Sequence, residues 1–511
     1  MSGQNTPEAG TGVYYLWHLE QIGCITETEP VTGADKHWQA TPEWAPFLNP
    51  VGGCGVTPGV KVAIIDNGCA TSHPNLAPYG DQPRVHNPIE FAAHVEGTLY
   101  AGASATDTAA SDRFAGLTAK LVALGIDPID VLPDGISERL AEVISGYLHA
   151  DPAMAPRVLA LPAPSERLAA HGTACAGLIA GAPQPETTAT PNPAGIAYFG
   201  VNPIAQVIPI ATVYSHAYWP LIMGLLYAVA QQADVILIPR AVENMAPPEE
   251  ADLENDPRGS AFLSDTRRWN DKLLFESLLA KISARIPTVV AAGNSGTLAL
   301  EYPAALVETT ARSLIVAGAV TAMGEVATYS SGQPMNLADL NLGPVTVYGP
   351  SDDREETSQR HFRYSEISWR GRRLAMDAFL GAEDLFRPYS HYGVLALDIP
   401  GQYGYDAASE ADLDFTETRN DPTAAAEFAT PELLPRGLYT LFGGTSAASA
   451  ITAGVVSLLK STASGKALTG TEIKKLLERL SDQSQSDTGP GTPTATRPRG
   501  LNLAELMAML E

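Results

Sequence analysis

The chain has 511 residues with 32 Lys+Arg against 57 Asp+Glu, and its net charge of −25 excludes nucleic acid or an anionic membrane as partner, since both demand a basic face. Hydrophobic residues make up 45% and charged residues 17%, which excludes a disordered chain, while 45 Gly and 40 Pro point to a globular protein rich in loops. The length allows up to about three domains, or one large domain with insertions.

In chain order, the opening MSGQNTPEAGTG has neither the basic nor the apolar stretch of a secretory signal, so a cytoplasmic location is expected. Four cysteines (Cys24, Cys54, Cys69, Cys175) are too few for a disulfide scaffold; reduced thiols are expected, with a Cys24–Cys54 bridge as the alternative. Lys61–Ile65 reads as a buried strand ending at Asp66. Residues 98–165 are Ala-rich, with one helical pattern at Ser137–Ala150 expected to pack rather than bind a partner. Strand Gln206–Val213, helix Leu221–Gln232 and strand Asp234–Ile238 follow, then an acidic, Pro-punctuated stretch over 240–268. Helix Asn270–Arg285 leads into strands Ile286–Ala292 and Ser313–Ala319. The irregular stretch 333–435 holds a further strand at Val345–Tyr348 or Val394–Ile399. Helices at Ile451–Lys460, Gly470–Ser481 and Leu503–Leu510 close the chain, and no run reaches the ~18 apolar residues of a membrane span.

Continuous β-branched runs without alternation indicate strands covered on both faces. Their alternation with helices predicts a doubly wound, mostly parallel α/β sheet whose site lies beyond the carboxyl ends of the strands. A single domain over 1–511 is expected, carrying 98–165, 240–268 and 333–435 as insertions.

Four motifs carry chemistry. VAIIDNG puts Asp66 at a strand end, AHGTACAGLIAG opens a small-residue helix with His171, TVVAAGNSG puts Asn294 at another strand end, and GGTSAASAITAGVVSLL sets Ser446 at the mouth of a long apolar helix. A serine hydroxyl needs an adjacent base, His exchanges protons near neutral pH, and a buried carboxylate fixes the imidazole tautomer. A helix N-terminus offers N–H groups to a developing oxyanion, and an Asn amide supplies a second donor.

In these motifs, and in the order Asp, His, Ser, the chain resembles the subtilisin-like serine peptidases. Flanking segments extend the resemblance: Trp17–Ile22, His73-Pro74-Asn75-Leu76, Gly200-Val201-Asn202-Pro203, Tyr302-Pro303-Ala304, Val316–Val320 and Gly500-Leu501-Asn502-Leu503. The stretch His171-Gly172-Thr173-Ala174-Cys175-Ala176-Gly177 is similar to the proteinase K-like branch, in which the cysteine lies beneath the histidine. The resemblance implies a three-layer α/β sandwich and a serine endopeptidase working through an acyl-enzyme. It implies catalytic Asp66, His171 and Ser446, an oxyanion hole with Asn294, and substrate contacts at Pro239, Arg240, Ala241, Ala291, Ala292 and Gly293. The partner is a protein or peptide substrate, and no cofactor or metal is expected. A catalytically silent, subtilisin-shaped binding module is the alternative.

The chain departs from the family pattern at Asn67 (D-N-G for D-[ST]-G), Asn202 (for Ala) and Ala450 (for Pro). Arg240 stands where relatives place a small apolar wall; it either favours an acidic or polar residue before the scissile bond or points to solvent. No N-terminal inhibitor segment is expected, because the Trp17 motif already belongs to the core. His73 reads as a turn-stabilising residue. Cys69 and Cys175 read as buried small hydrophobes, with a regulatory thiol or disulfide as the alternative. The acidic clusters at 249–256 and 405–414 lack the ligand spacing of a calcium loop and read as a solvated face, with structural calcium as the alternative.

Overall fold

Short α1 (Trp17–Gln21) and the antiparallel hairpin β1 (Ile25–Thr28)/β2 (His37–Ala40) precede the main sheet. That sheet comprises β3 (Lys61–Asp66), β4 (Ile89–Ala93), β5 (Val158–Leu161), β6 (Gln206–Thr212), β7 (Val235–Ile238), β8 (Thr288–Ala291), β9 (Ile315–Val320) and β10 (Val347–Pro350). Its order is β10-β9-β8-β7-β3-β6-β4-β5, parallel throughout except for β5, which pairs antiparallel with β4. The computed structural model describes residues 16–28, 37–49, 55–93, 114, 116–126, 158–161, 169–183, 198–212, 218–247, 259–333, 343–352, 367–369, 372–374, 393–400, 404–405, 438–480 and 498–511.

Successive residues of each strand feed opposite cores. Val62, Ile64, Val207, Val235, Leu237 and Val289 join one core, in which α3 (Ala170–Ala180) and α6 (Gly444–Ser461) pack. Ala63, Ile65, Ile208, Ile236 and Val290 join the other, with α4 (Trp219–Ala230) and α5 (Gly259–Arg285). Both faces being covered is why the strands show no polar alternation. The result is the expected three-layer sandwich with a mostly parallel sheet. Of the remaining helices, α2 (Leu117–Ala123) stands before β5 and joins the core of α4 and α5, while α8 (Gly470–Leu477) and α9 (Leu503–Ala508) follow the single turn α7 (Ala463–Lys466) and join the core of α3 and α6.

Several elements differ from the sequence reading. Strands β4 and β5 were not anticipated; Ile89–Ala93 and Val158–Leu161 are short runs, β5 falling inside the irregular stretch 98–165. Val347–Pro350 joins the main sheet, whereas β13 (Val394–Leu397) does not: it pairs antiparallel with β14 (Tyr439–Phe442) in a separate ribbon. A second small ribbon joins β11 (Ile367–Trp369) to β12 (Arg372–Leu374). Helix α5 begins at Gly259, within the acidic stretch, and α6 begins at Gly444, ahead of the apolar run that signals it. Small residues fill that first part of α6 because it is packed closely: a Cβ on Gly349 would lie 2.7 Å from the Ala448 carbonyl oxygen. Asn202 takes the Ala place of the family by donating to Ser457 Oγ (2.9 Å) and Ser461 Oγ (3.2 Å), both on α6. The Ser137–Ala150 pattern and the acidic clusters at 249–256 and 406–414 lie outside the described residues.

Two buried histidines are expected to make the fold acid-sensitive. His18 in α1 is fully buried with neither ring nitrogen hydrogen-bonded among the described residues, and burial lowers its pKa to about 3. His73 is also fully buried, and burial, partly opposed by its bond to Leu438, lowers it to about 4. Its Nδ1 accepts from Asn75 N (3.1 Å) and its Nε2–H donates to the Leu438 carbonyl (2.9 Å), so it stabilises the turn as expected. Unfolding raises both groups to about 6.5, so between that pH and the folded values the unfolded chain binds more protons. Stability therefore falls as pH drops below 6.5, by up to ~1.4 kcal/mol per pH unit for each ring. Denaturant titration from pH 7 to 4 measures this slope. His18→Leu removes one ring's share, and a variant with an unchanged slope would refute the assignment.

Candidate active site

The Asp66 and Asn294 motifs sit at or just past the carboxyl ends of β3 and β8, neighbours through β7. Asp66 is fully buried, its Oδ1 accepts from Asn67 N–H (2.8 Å), and Thr212 Oγ1 donates to its backbone carbonyl (3.1 Å). His171 Nδ1–H donates to Asp66 Oδ2 at 2.5 Å, bridging 105 residues of sequence. A carboxylate only accepts, so the proton resides on Nδ1 and Nε2 carries the free lone pair. The imidazole is further fixed edge-on to Phe442, at 5.2 Å between ring centroids.

The start of α3 is welded to the turn after Asp66. Asn67 Oδ1 accepts from Gly172 N–H (2.9 Å), capping a helix whose own N-cap, Ala169, makes no side-chain bond. Asn67 thus uses its longer side chain as a cap. Gly68 is in the left-handed region (φ +111°), and a Cβ on Gly172 would lie 1.9 Å from its carbonyl oxygen. Cys175 lies one turn below His171: its sulfur, His171 and Asp66 have ligand atoms within 4.8 Å of one another, the one group among the described residues able to hold a metal ion. Burial, then the charge of Asp66 and the nearby Cys69, pushes the Cys175 thiol well above its usual range. Cys24, Cys69 and Cys175 are buried thiols outside any disulfide, and Cys54 lies outside the described residues.

At the N-terminus of α6 the first N–H groups need partners from outside the helix. Gly444 N–H donates to Asp352 Oδ1 (2.9 Å) and Thr445 N–H donates to Asn294 Oδ1 (2.8 Å), while Ala447 N–H returns to Gly443 O (3.2 Å). Ser446 N–H is the donor of this turn without a partner among the described residues. Thr445 Oγ1 also donates to Asn294 Oδ1 (2.9 Å), and two donors on the oxygen settle the amide orientation, leaving Nδ2 open beside Gly444. The Ser446 hydroxyl donates to the Pro239 carbonyl at 2.7 Å.

A buried cluster clamps this helix start. Tyr329 OH donates to Asp352 Oδ1 (2.6 Å), and Ser351 Oγ donates to Gly444 O (2.8 Å). Burial and the Asp352 charge push the Tyr329 phenol well above its usual range. The sequence reading missed Thr445, Phe442 and Asp352; Asp352 opens a charged run that reads as surface, and only its place beyond β10 brings it beneath α6.

Of the expected substrate contacts, Pro239 accepts from the Ser446 hydroxyl, and Ala291, Ala292 and Gly293 lead into Asn294, with Gly293 N–H bonded to Thr445 Oγ1 (3.1 Å). Ala241 is exposed. Arg240 does not point to solvent: it is 8% exposed and donates to the Thr212 carbonyl (3.4 Å) at the end of β6.

A mostly parallel sheet with helices on both faces, the Asp66–His171 pair beyond one strand end and Ser446 at the start of α6 defines the subtilisin-like α/β fold. The sequence profile of the Subtilase family matches residues 57–495, and the chain belongs to that family of serine peptidases. No curated protein sequence matches the chain. Among solved structures it is similar to the nisin leader peptidase NisP from Lactococcus lactis, with 12% identity, TM-score 0.46, and 98% of this chain and 95% of that one covered. It is also similar to fervidolysin from Fervidobacterium pennivorans, with 15% identity, TM-score 0.45, and 99% of this chain and 48% of that one covered. No helix among the described residues is long and apolar enough to cross a membrane.

Proposed function

We propose that the chain is a serine endopeptidase working through an acyl-enzyme, with Ser446 as nucleophile, His171 as general base and acid, and Asp66 as the group that orients and stabilises the imidazolium. The observation that carries this reading is the first turn of α6, where neighbouring N–H groups are taken up and that of Ser446 is left open beside the held amide of Asn294. In the proposed reaction Ser446 Oγ turns from the Pro239 carbonyl, passes its proton to His171 Nε2 and bonds to the scissile carbonyl carbon. The carbonyl oxygen takes the negative charge between Ser446 N–H and Asn294 Nδ2. His171 then protonates the leaving amine as the C–N bond breaks, and water repeats the sequence to release the acid. No observation of the site favours the silent binding module.

A fluorophosphonate probe tests the reading, since phosphonylation needs a working Ser–His pair. Ser446 is expected to be the labelled residue by mass spectrometry, and His171→Ala to suppress labelling. A folded wild type that stays unlabelled would overturn the proposal.

The thiol beneath the imidazole gives a further expectation. A small mercurial bound to Cys175 displaces His171, and a misplacement near 1 Å costs on the order of 100-fold in rate. Activity should fall accordingly, be restored in Cys175→Ser, and respond little to reductant alone. Full activity with mercury confirmed on Cys175 would refute this.

A further inference from the structure

Two segments leave the site side by side. One follows β7 through Pro239, whose carbonyl meets the Ser446 hydroxyl, to Val242; the other follows β8 through Gly293 to Asn294 and Ser295. They share a floor at Glu301–Tyr302: Glu301 N–H donates to the Ala292 carbonyl (3.0 Å), and Val242 N–H donates to the Tyr302 carbonyl (2.8 Å). The two segments are thus walls of one slot that opens beside the reacting groups.

The side chain at the base is a carboxylate. Glu301 fills the space where Gly293 has no Cβ; an added one would lie 2.4 Å from Glu301 Cγ and Cδ. Its Oε1 accepts from Asn294 N–H (2.9 Å) and Ser295 N–H (3.0 Å), which fixes the head against the wall carrying the oxyanion donor. Oε2 makes no hydrogen bond among the described residues, and Glu301 is only half-buried. Cations on the adjoining elements are turned elsewhere. Arg240 reaches the β6 side of the site, across β7 and β3 from β8, and Lys272 is engaged with Glu276 (3.5 Å) and the Met245 carbonyl (2.9 Å).

We propose that Glu301 makes this slot selective for a lysine or arginine side chain on the acyl side of the scissile bond. This rests on the peptidase reading above and names its substrate class. A cationic head reaching the floor meets Oε2, while its methylenes lie along the walls, as long charged side chains do elsewhere.

The test compares matched fluorogenic peptides carrying lysine, norleucine or glutamate before the scissile bond. The measured quantity is the ratio of kcat/KM values within each enzyme. Wild type is expected to favour lysine over norleucine by about 10- to 100-fold, the range of a charge-assisted bond, and less so at high salt. Glu301→Gln keeps an acceptor oxygen for the two N–H groups and should bring that ratio toward one; Glu301→Lys should favour glutamate instead. A ratio near one in wild type, or a wild-type ratio retained in Glu301→Gln, would overturn the proposal. Paired phosphonate probes with lysine or norleucine side chains give the same ratio on wild type alone, should either variant not fold. Labelling and cleavage without charge preference sink this proposal only, whereas absence of both sinks the peptidase reading.

Discussion

Ser446→Ala and His171→Ala are each expected to lower kcat on a peptide substrate by about 10⁶-fold, and the double variant to be no worse than either single one. The two groups act as a unit: without Nε2 the hydroxyl has no acceptor for its proton, and without the hydroxyl the base has nothing to activate. Asp66→Asn is expected to cost about 10⁴-fold, because an amide can donate toward Nδ1 and so stabilise the wrong imidazole tautomer. The 2.5 Å contact from Nδ1 to the buried Asp66 carboxylate is the geometry that this substitution breaks. Burst kinetics and steady-state rates on one fluorogenic peptide check all four variants, with circular dichroism to confirm folding. Independent, additive losses from Ser446 and His171 would contradict a shared proton-transfer step.

Asn294→Leu is the second large effect, a loss of about 10²- to 10³-fold in kcat with KM little changed, since the donor acts on charge that develops only in the transition state. The amide here is aimed by its neighbour: both the N–H and the Oγ1 of Thr445 hold its oxygen. Thr445→Val removes one of these two bonds and leaves the other, so a smaller loss, about 10-fold, is expected, again in kcat. A combined Asn294→Leu/Thr445→Val variant should resemble Asn294→Leu alone, because Thr445 acts through the amide. A loss confined to KM in Asn294→Leu would place the residue in ground-state binding instead.

The pattern of β-branched runs located β3, β6, β7, β8 and β9 of the parallel sheet because each is buried on both faces and so lacks polar alternation. β4, β5 and β14 were not legible, being short and set among irregular stretches where periodicity carries little signal. The ribbon β13/β14 illustrates the ambiguity: Val394–Leu397 has the composition of a buried parallel strand, yet its partner is Tyr439–Phe442, more than forty residues on.

What the sequence by itself determined is the set of groups proposed to react: Asp66, His171, Asn294 and Ser446 each sit in a local motif whose flanking glycines and small residues already state a strand end or a helix start. Only the tertiary structure decided how those groups are held and what surrounds them. The amide of Asn294 is oriented by Thr445, the start of α6 is clamped by Asp352 and Tyr329, Arg240 is turned toward Thr212, and Glu301 lies at the base of the slot. These relations join residues as much as 151 positions apart, and no local pattern encodes them. They arise because strand order, set by long-range pairing, brings the ends of β3, β6, β7 and β8 to one edge of the sheet, where buried polar groups must find partners across the chain.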